Sequence, residues 1–230
     1  GESDSISQNI NITINQLPVG NAGNDTAVCS GGSMILTATG GISFQWSNGI
    51  SNGISFTPQQ TDTYAVTVTD ENNCSNSDTV IVSVNPIPAA VAGENQTVCA
   101  GDSITLNATG GTLYTWDHGV TNNIPFVPAQ TDIYTVTVTN NYNCTAVNSL
   151  MVTVANTPVA SFNVNSTTGL APFAALFENT SQNADYYSWN FGDGGVTTDA
   201  NPYHIYTNGG QFTVTLIATS STCGSDTAYI

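Results

Sequence analysis

The chain has 230 residues, with enough aliphatic and aromatic content to build real cores, 16 acidic residues, and neither Lys nor Arg. Length leaves room for two or three domains. The absence of Lys and Arg excludes nucleic-acid binding by phosphate neutralisation and attraction to an anionic membrane surface. No apolar run approaches the ~20 residues of a membrane-spanning helix, which argues against membrane insertion. The opening Gly1-Glu2-Ser3-Asp4 has no signal-peptide pattern and reads as part of a longer, processed product.

In chain order, the first element is Ile12-Thr13-Ile14, followed by Pro18. It matches Val82-Ser83-Val84 and Pro88 at an offset of 70, so residues 1–19 are expected to be the last strand of a preceding module plus its linker. The body of the first module, residues 20–88, reads as short strands broken by turn residues. Asp25–Val28 is an edge strand, Met34–Ala38 ends at Gly40-Gly41, and Ser43–Trp46 ends at Ser47-Asn48-Gly49. Ile54–Phe56 stops before Pro58. Tyr64-Ala65-Val66-Thr67-Val68-Thr69 alternates large apolar with small residues, the period of a half-buried strand. Asp70–Asn73 then turns into a last strand, Thr79–Val84.

Residues 89–158 repeat this module without a gap. Cys29, Trp46, Pro58, Tyr64 and Cys74 fall on Cys99, Trp116, Pro128, Tyr134 and Cys144, and about 30 of the 68 positions between Asn21 and Pro88 are identical to their partners. Residues 159–230 form a third module, whose Phe212–Ile217 reads as another copy of the Tyr64–Thr69 strand. Seven short strands in about 70 residues, with no helical period, predict a sandwich of immunoglobulin type. The expected fold is all-β, with tandem immunoglobulin-like β-sandwiches arranged end to end as a rod through short Pro-containing junctions at 85–89 and 155–159.

The third module carries Trp189-Asn190-Phe191-Gly192-Asp193-Gly194 and Asn201-Pro202-Tyr203-His204-Ile205-Tyr206. Residues 161–230 thereby resemble the PKD family of β-sandwich domains, whose signature is W-x-F-G-D-G followed by N-P-x-H-x-Y. The first two modules carry Cys-x-Gly, a central Trp, Thr-x-Thr-Tyr-x-Val-x-Val (with Ile133 in place of the second Thr in the second copy) and a late Asn-Cys. They resemble the immunoglobulin-like repeats of very large surface proteins of Bacteroidetes bacteria, of the adhesin or gliding type.

Five cysteines without a CxxC pair, in a Thr-, Asn- and Gly-rich chain, suit an oxidising extracellular setting better than a zinc site. On an immunoglobulin topology Cys29 and Cys74 lie at opposite ends of a module. Strands of ~20 Å separate them, while a disulfide needs Cα atoms within ~7 Å. In an end-to-end array the late hairpin of one module faces the early turn of the module before it. This predicts Cys29–Cys144 and Cys99–Cys223, with Cys74 left for a preceding module; bridges within modules and free thiols are the alternatives.

Trp46, Trp116 and Trp189 are expected in the cores rather than as sugar platforms. Tyr64 and Tyr134 follow Thr-Asp-x as in a tyrosine corner. The PKD resemblance makes His204 a structural core residue, while His118 reads as an exposed turn. Neither His has a Ser or Cys partner for nucleophilic chemistry, so no enzyme and no cofactor are expected. Asp193 between two glycines is a weak calcium candidate, because calcium takes six to eight oxygens and a lone turn Asp more often caps its own backbone. The Bacteroidetes resemblance also implies O-glycosylation at Asp-Ser/Thr-small motifs, giving Ser5, Thr26, Thr79, Ser103 and Thr227 as candidates.

These readings lead to a structural segment of an extracellular or cell-surface stalk, adhesin or filament that provides reach, stiffness and presentation. Its partners would be neighbouring modules or copies of the same protein, and surface polysaccharide. Residues 6–18 could then donate a strand to another copy. The rival is a set of accessory binding modules of a secreted hydrolase, marked by an exposed aromatic row drawn from Tyr186, Tyr187, Tyr203 and Tyr229.

Overall fold

The structure is a computed structural model and describes residues 8–230. It is all-β apart from one 3₁₀ turn at Ser47–Gly49. Three separate hydrophobic cores form, one per repeat. By packing, the chain divides into two compact units. One takes the chain up to Pro88 together with Thr139–Thr145, and the other takes Ala89–Val138 and Ala146–Ile230.

The first repeat contains β1 (Thr26–Cys29), β2 (Met34–Ile35), β3 (Ser43–Trp46), β4 (Ser55–Phe56), β5 (Asp62–Thr69) and β6 (Ser75–Asn85). One sheet has the order β1-β6-β5-β3 and the other pairs β2 with β4. The alternation in β5 sends Tyr64, Val66 and Val68 inward against Val80 and Val82 of β6, while Ile81 faces out. Each of these buried side chains contributes about 1.5–3 kcal/mol relative to exposure. β1 runs parallel to β6, placing Thr26 opposite Val82 and Cys29 opposite Asn85. Six strands form where seven were expected, and the remaining pairing is a single bridge between Asn21 and Thr39. Gly40 is required beside it: its φ is +100°, and a Cβ there would run into the Val19 carbonyl oxygen.

The second repeat keeps β7 (Gln96–Cys99), β8 (Leu113–Trp116), β9 (Asp132–Thr139) and β10 (Thr145–Ala155) in the order β7-β10-β9-β8. Its second sheet is reduced to the bridge Ile104–Phe126. The third repeat contains β11 (Phe162–Val164), β12 (Phe173–Asn179), β13 (Tyr186–Asn190), β14 (Val196–Thr197), β15 (Tyr203–Tyr206), β16 (Thr215–Ser220) and β17 (Gly224–Tyr229). Its sheets are β11-β12-β15 and β14-β13-β16-β17.

Two strand assignments change. The third copy of the central strand is Thr215–Ser220 rather than Phe212–Ile217, and Leu216 stands opposite Trp189 as Val66 stands opposite Trp46. A slip of two residues keeps every side chain on its original face, so alternation alone cannot distinguish the two registers. Residues 8–20 form no strand, although Ile12–Ile14 was expected to be one. Ile10, Ile12 and Ile14 are 78–88% exposed because no sheet among the described residues takes up their apolar face.

Candidate functional site: the cysteine hairpins

Each repeat closes its central and last strands with a tight hairpin that presents a cysteine. In the first, Asp70 Oδ1 accepts hydrogen bonds from the backbone N–H groups of Asn72 and Cys74, at 2.9 and 2.8 Å. Asn73 supplies the left-handed residue, with φ +63°. The second hairpin repeats this with Asn140, whose Oδ1 accepts from Tyr142 and Cys144, and with Asn143 at φ +59°. Asn140 also donates from Nδ2 to the Pro86 carbonyl at 2.8 Å. In the third hairpin Ser220 Oγ accepts from Thr222 and Cys223, and Asp185 Oδ2 accepts from both the backbone and the hydroxyl of Ser221. Those two Ser221 bonds hold the Asp185 carboxyl below the usual carboxylate range.

The structure joins Cys29 to Cys144 and Cys99 to Cys223, with Cα separations of 5.6 and 5.5 Å. Cys29 and Cys99 occupy the same place, at the end of a strand parallel to the last strand of its repeat, opposite Asn85 and Ala155 respectively. Cys74 is half-buried and unbonded. It precedes β6 while Cys29 stands opposite the far end of that strand, about 33 Å away at ~3.3 Å per residue. A bridge inside the first repeat therefore has no geometry. Cys144 is 1% exposed, sealed by its bond and by the hairpin's contact with residues 85 and 86.

The remaining candidates have structural surroundings. Trp46, Trp116 and Trp189 are 6%, 5% and 0% exposed, so none offers a stacking surface. The indole N–H groups of Trp46 and Trp116 donate to Asn52 and Asn122, while that of Trp189 donates to the Asp199 carbonyl. The two asparagines escaped the sequence reading, although they fall on each other at the 70-residue offset. Tyr64 and Tyr134 are buried, and burial raises their phenol pKa above the ordinary value, helped by nearby Asp62 or by Asp132 and Asp117.

His204 lies at the edge of the core rather than in it, with a side chain 19% exposed. Its ring stacks on Phe191 at 4.2 Å, and Nε2 lies 2.7 Å from Asp193 Oδ2. Asp193 also accepts from the Gly195 backbone through Oδ1. The bond to His204, followed by that from Gly195, holds its carboxyl below the usual range. Both oxygens of the calcium candidate are thus engaged within the protein. Among the described residues, no three His, Cys, Asp or Glu side chains come together as a metal site.

His118 sits in a left-handed turn, with Nδ1 2.9 Å from Asp117 and Nε2 3.4 Å from Asp132. The hydrogen bond to Asp117 raises its pKa above 6.5; partial burial opposes this, and the charges of Asp117 and Asp132 add to it. In the first repeat Asn48 takes that position and donates to Asp62.

Of the glycosylation candidates, Thr79, Ser103 and Thr227 are exposed, Thr26 is half-buried, and Ser5 lies outside the described residues. Asp78 and Asp226, which precede two of them, accept the backbone N–H of Ala22 and Ala160 and thereby clasp the entry segment to the last strand. The four tyrosines of the aromatic-row reading do not line up. Tyr186 and Tyr229 lie on strands of one sheet, Tyr203 belongs to the other, and Tyr187 is half-buried with its hydroxyl on Ala184.

Residues 155–230 match the PKD domain family, a match confined to the last third of the chain. The fold as a whole is similar to the N-terminal eight immunoglobulin domains of Down syndrome cell adhesion molecule, with a TM-score of 0.50 at 14% identity. That similarity covers 94% of this chain and 42% of the other, so the chain spans less than half of that structure. A three-domain immunoglobulin segment of titin gives a TM-score of 0.46 at 12% identity, covering 93% of this chain and 97% of that one. Sidekick-1 immunoglobulin domains 1–4 give 0.41 at 12% identity, covering 93% and 75%. Comparison with the curated proteins finds no match. At 14% identity the likeness to the first of these structures shows the fold alone, an immunoglobulin-like β-sandwich.

Proposed function

We propose that this chain is a structural segment of a long extracellular stalk, adhesin or filament, in which sandwich repeats supply reach and stiffness and present a distal part of the assembly. The observation that carries this reading is the pair of equivalent disulfides, each running from the late hairpin of one repeat to the first strand of the repeat before it. A covalent tie at that place restricts bending and extension without contributing to any catalytic constellation. Disulfides persist in oxidising compartments, which supports an extracellular setting. A net charge of −16 keeps such surfaces soluble and mutually repelling, so association would run through module ends or strand pairing rather than through charge. The partners in this reading are neighbouring modules or copies of the same protein, with surface polysaccharide as a ligand to be tested. Electron microscopy of the native material tests it. Long uniform fibres or stalks are expected; isolated short rods attached to an enzyme domain would overturn it in favour of an accessory role.

A further inference from the structure

The three cysteine hairpins are equivalent, yet only two are used. Cys144 and Cys223 are each bonded to the cysteine that ends the first strand of the preceding repeat, and Cys74 holds the same place with its thiol free. In both bonded cases the partner cysteine has one address. It lies on a strand parallel to the last strand of its repeat, opposite Asn85 in one and Ala155 in the other. A shift of 70 residues puts Asn15 at that address.

A second, independent observation concerns the residues leading up to Asn15. Ile10 and Ile12 are 78% and 80% exposed, whereas Val80 and Val82, their counterparts one repeat later, are 1% and 0% exposed. Leu150 and Val152, two repeats later, are 3% and 0% exposed. Ile14, at 88%, extends the same face. Residues 10–15 thus have the sequence of a last strand, with one apolar side that no sheet among the described residues buries. The thiol and the strand ask for the same object: a sandwich that takes residues 10–15 as its last strand and carries a cysteine on the adjacent parallel strand, opposite Asn15.

We propose that Cys74 is a covalent docking site for another immunoglobulin-like module of this repeat type, seated on residues 10–15 and bonded through its first-strand cysteine. In the bonding step both thiols lose their hydrogens and one S–S bond forms. Two electrons and two protons pass to a small external disulfide, which is reduced to two thiols. A second copy of this chain cannot supply the partner through Cys29 or Cys99, because both are already bonded. The proposal holds whether the chain serves a stalk or an accessory segment, so its failure is separable from that of the stalk reading.

The test adds a copy of residues 90–149 directly ahead of Ile10 in the otherwise full chain, preserving the repeat spacing, with Cys144→Ser in the added copy only. After oxidation by a small-molecule disulfide, the expected result is a peptide pair linking the added Cys99 to Cys74, no free thiol, and strong hydrogen-exchange protection of residues 10–15. A folded added module with both thiols still open to alkylation would overturn the proposal. The unextended chain provides a second measurement that does not depend on the fusion. Its folded form should react with an aromatic disulfide reagent at one thiol per chain, and reaction only after unfolding would also overturn the proposal. So would complete conversion to a Cys74–Cys74 dimer with residues 10–15 unprotected.

Discussion

Asn122 uses one side chain to settle three buried groups. Its Oδ1 accepts from the Ala108 backbone at 2.8 Å and from the Trp116 indole at 3.1 Å, and its Nδ2 donates to the Ala108 carbonyl. Asn52 does the same for Ala38 and Trp46. Removing one member leaves buried donors unpaired, which costs about 1–3 kcal/mol. Asn122→Ala is therefore expected to destabilise the second repeat by that amount, read as faster hydrogen exchange of the Trp116 indole N–H with the third repeat unchanged. Asp226 makes a pH-dependent contribution of a similar kind. The Ala160 backbone N–H, and after it that of Thr227, holds its carboxyl below the ordinary 3.8. A depressed folded-state pKa means a stabilisation present above 3.8 and lost as pH falls through the lower folded value. Thermal melts taken from neutral into acid below 3.8 should show this loss, and Asp226→Asn should flatten that part of the profile.

At the scale of elements, the third repeat is held by the meeting of its two signature stretches. The turn after β13 brings Asp193 to His204 on β15, and the Tyr206 hydroxyl donates to the Phe191 carbonyl at 3.0 Å. Gly195 is needed there, since a Cβ would lie 2.6 Å from the His204 ring. Trp189 sits at the centre with no exposure, against Phe162 and Phe177. Trp189→Ala should cost about 3–5 kcal/mol, seen as a lowered unfolding transition of this repeat alone. Confinement to one repeat is expected because each repeat has its own core. A global loss of structure would contradict that independence.

At the scale of the whole molecule, the two disulfides turn a linear chain into a network. Three stretches connect the bridges: residues 29–99, 99–144 and 144–223. Under tension the shortest of them, 99–144, becomes taut first, and at ~3.3–3.6 Å per residue it caps the separation of the bridges at about 160 Å. Without the bridges, residues 29–223 could extend to about 700 Å on the same scale. Single-molecule pulling from the two ends should therefore show a several-fold longer unfolded contour after reduction. Equal contours before and after would remove the mechanical basis of the proposed stalk role.

The sequence by itself determined the class of fold, the repeat and the buried faces, because these follow from local periodicity. Tyr64, Val66 and Val68 alternate as a half-buried strand must, and the 70-residue offset places Trp46 and Trp116 in equivalent cores. It also restricted the cysteine pairing, since strand length separates Cys29 from Cys74 in any sandwich of this type. Tertiary structure alone decided three other things. The register of β16 was hidden because a two-residue slip leaves both faces unchanged. The roles of Asn52, Asn122, Asp78 and Asp226 depend on backbone groups 14 to 66 residues away along the chain, whose approach no local pattern encodes. Finally, Ile12–Ile14 has the sequence of a strand without being one, because a strand forms only where another strand accepts its hydrogen bonds and a core covers its apolar side.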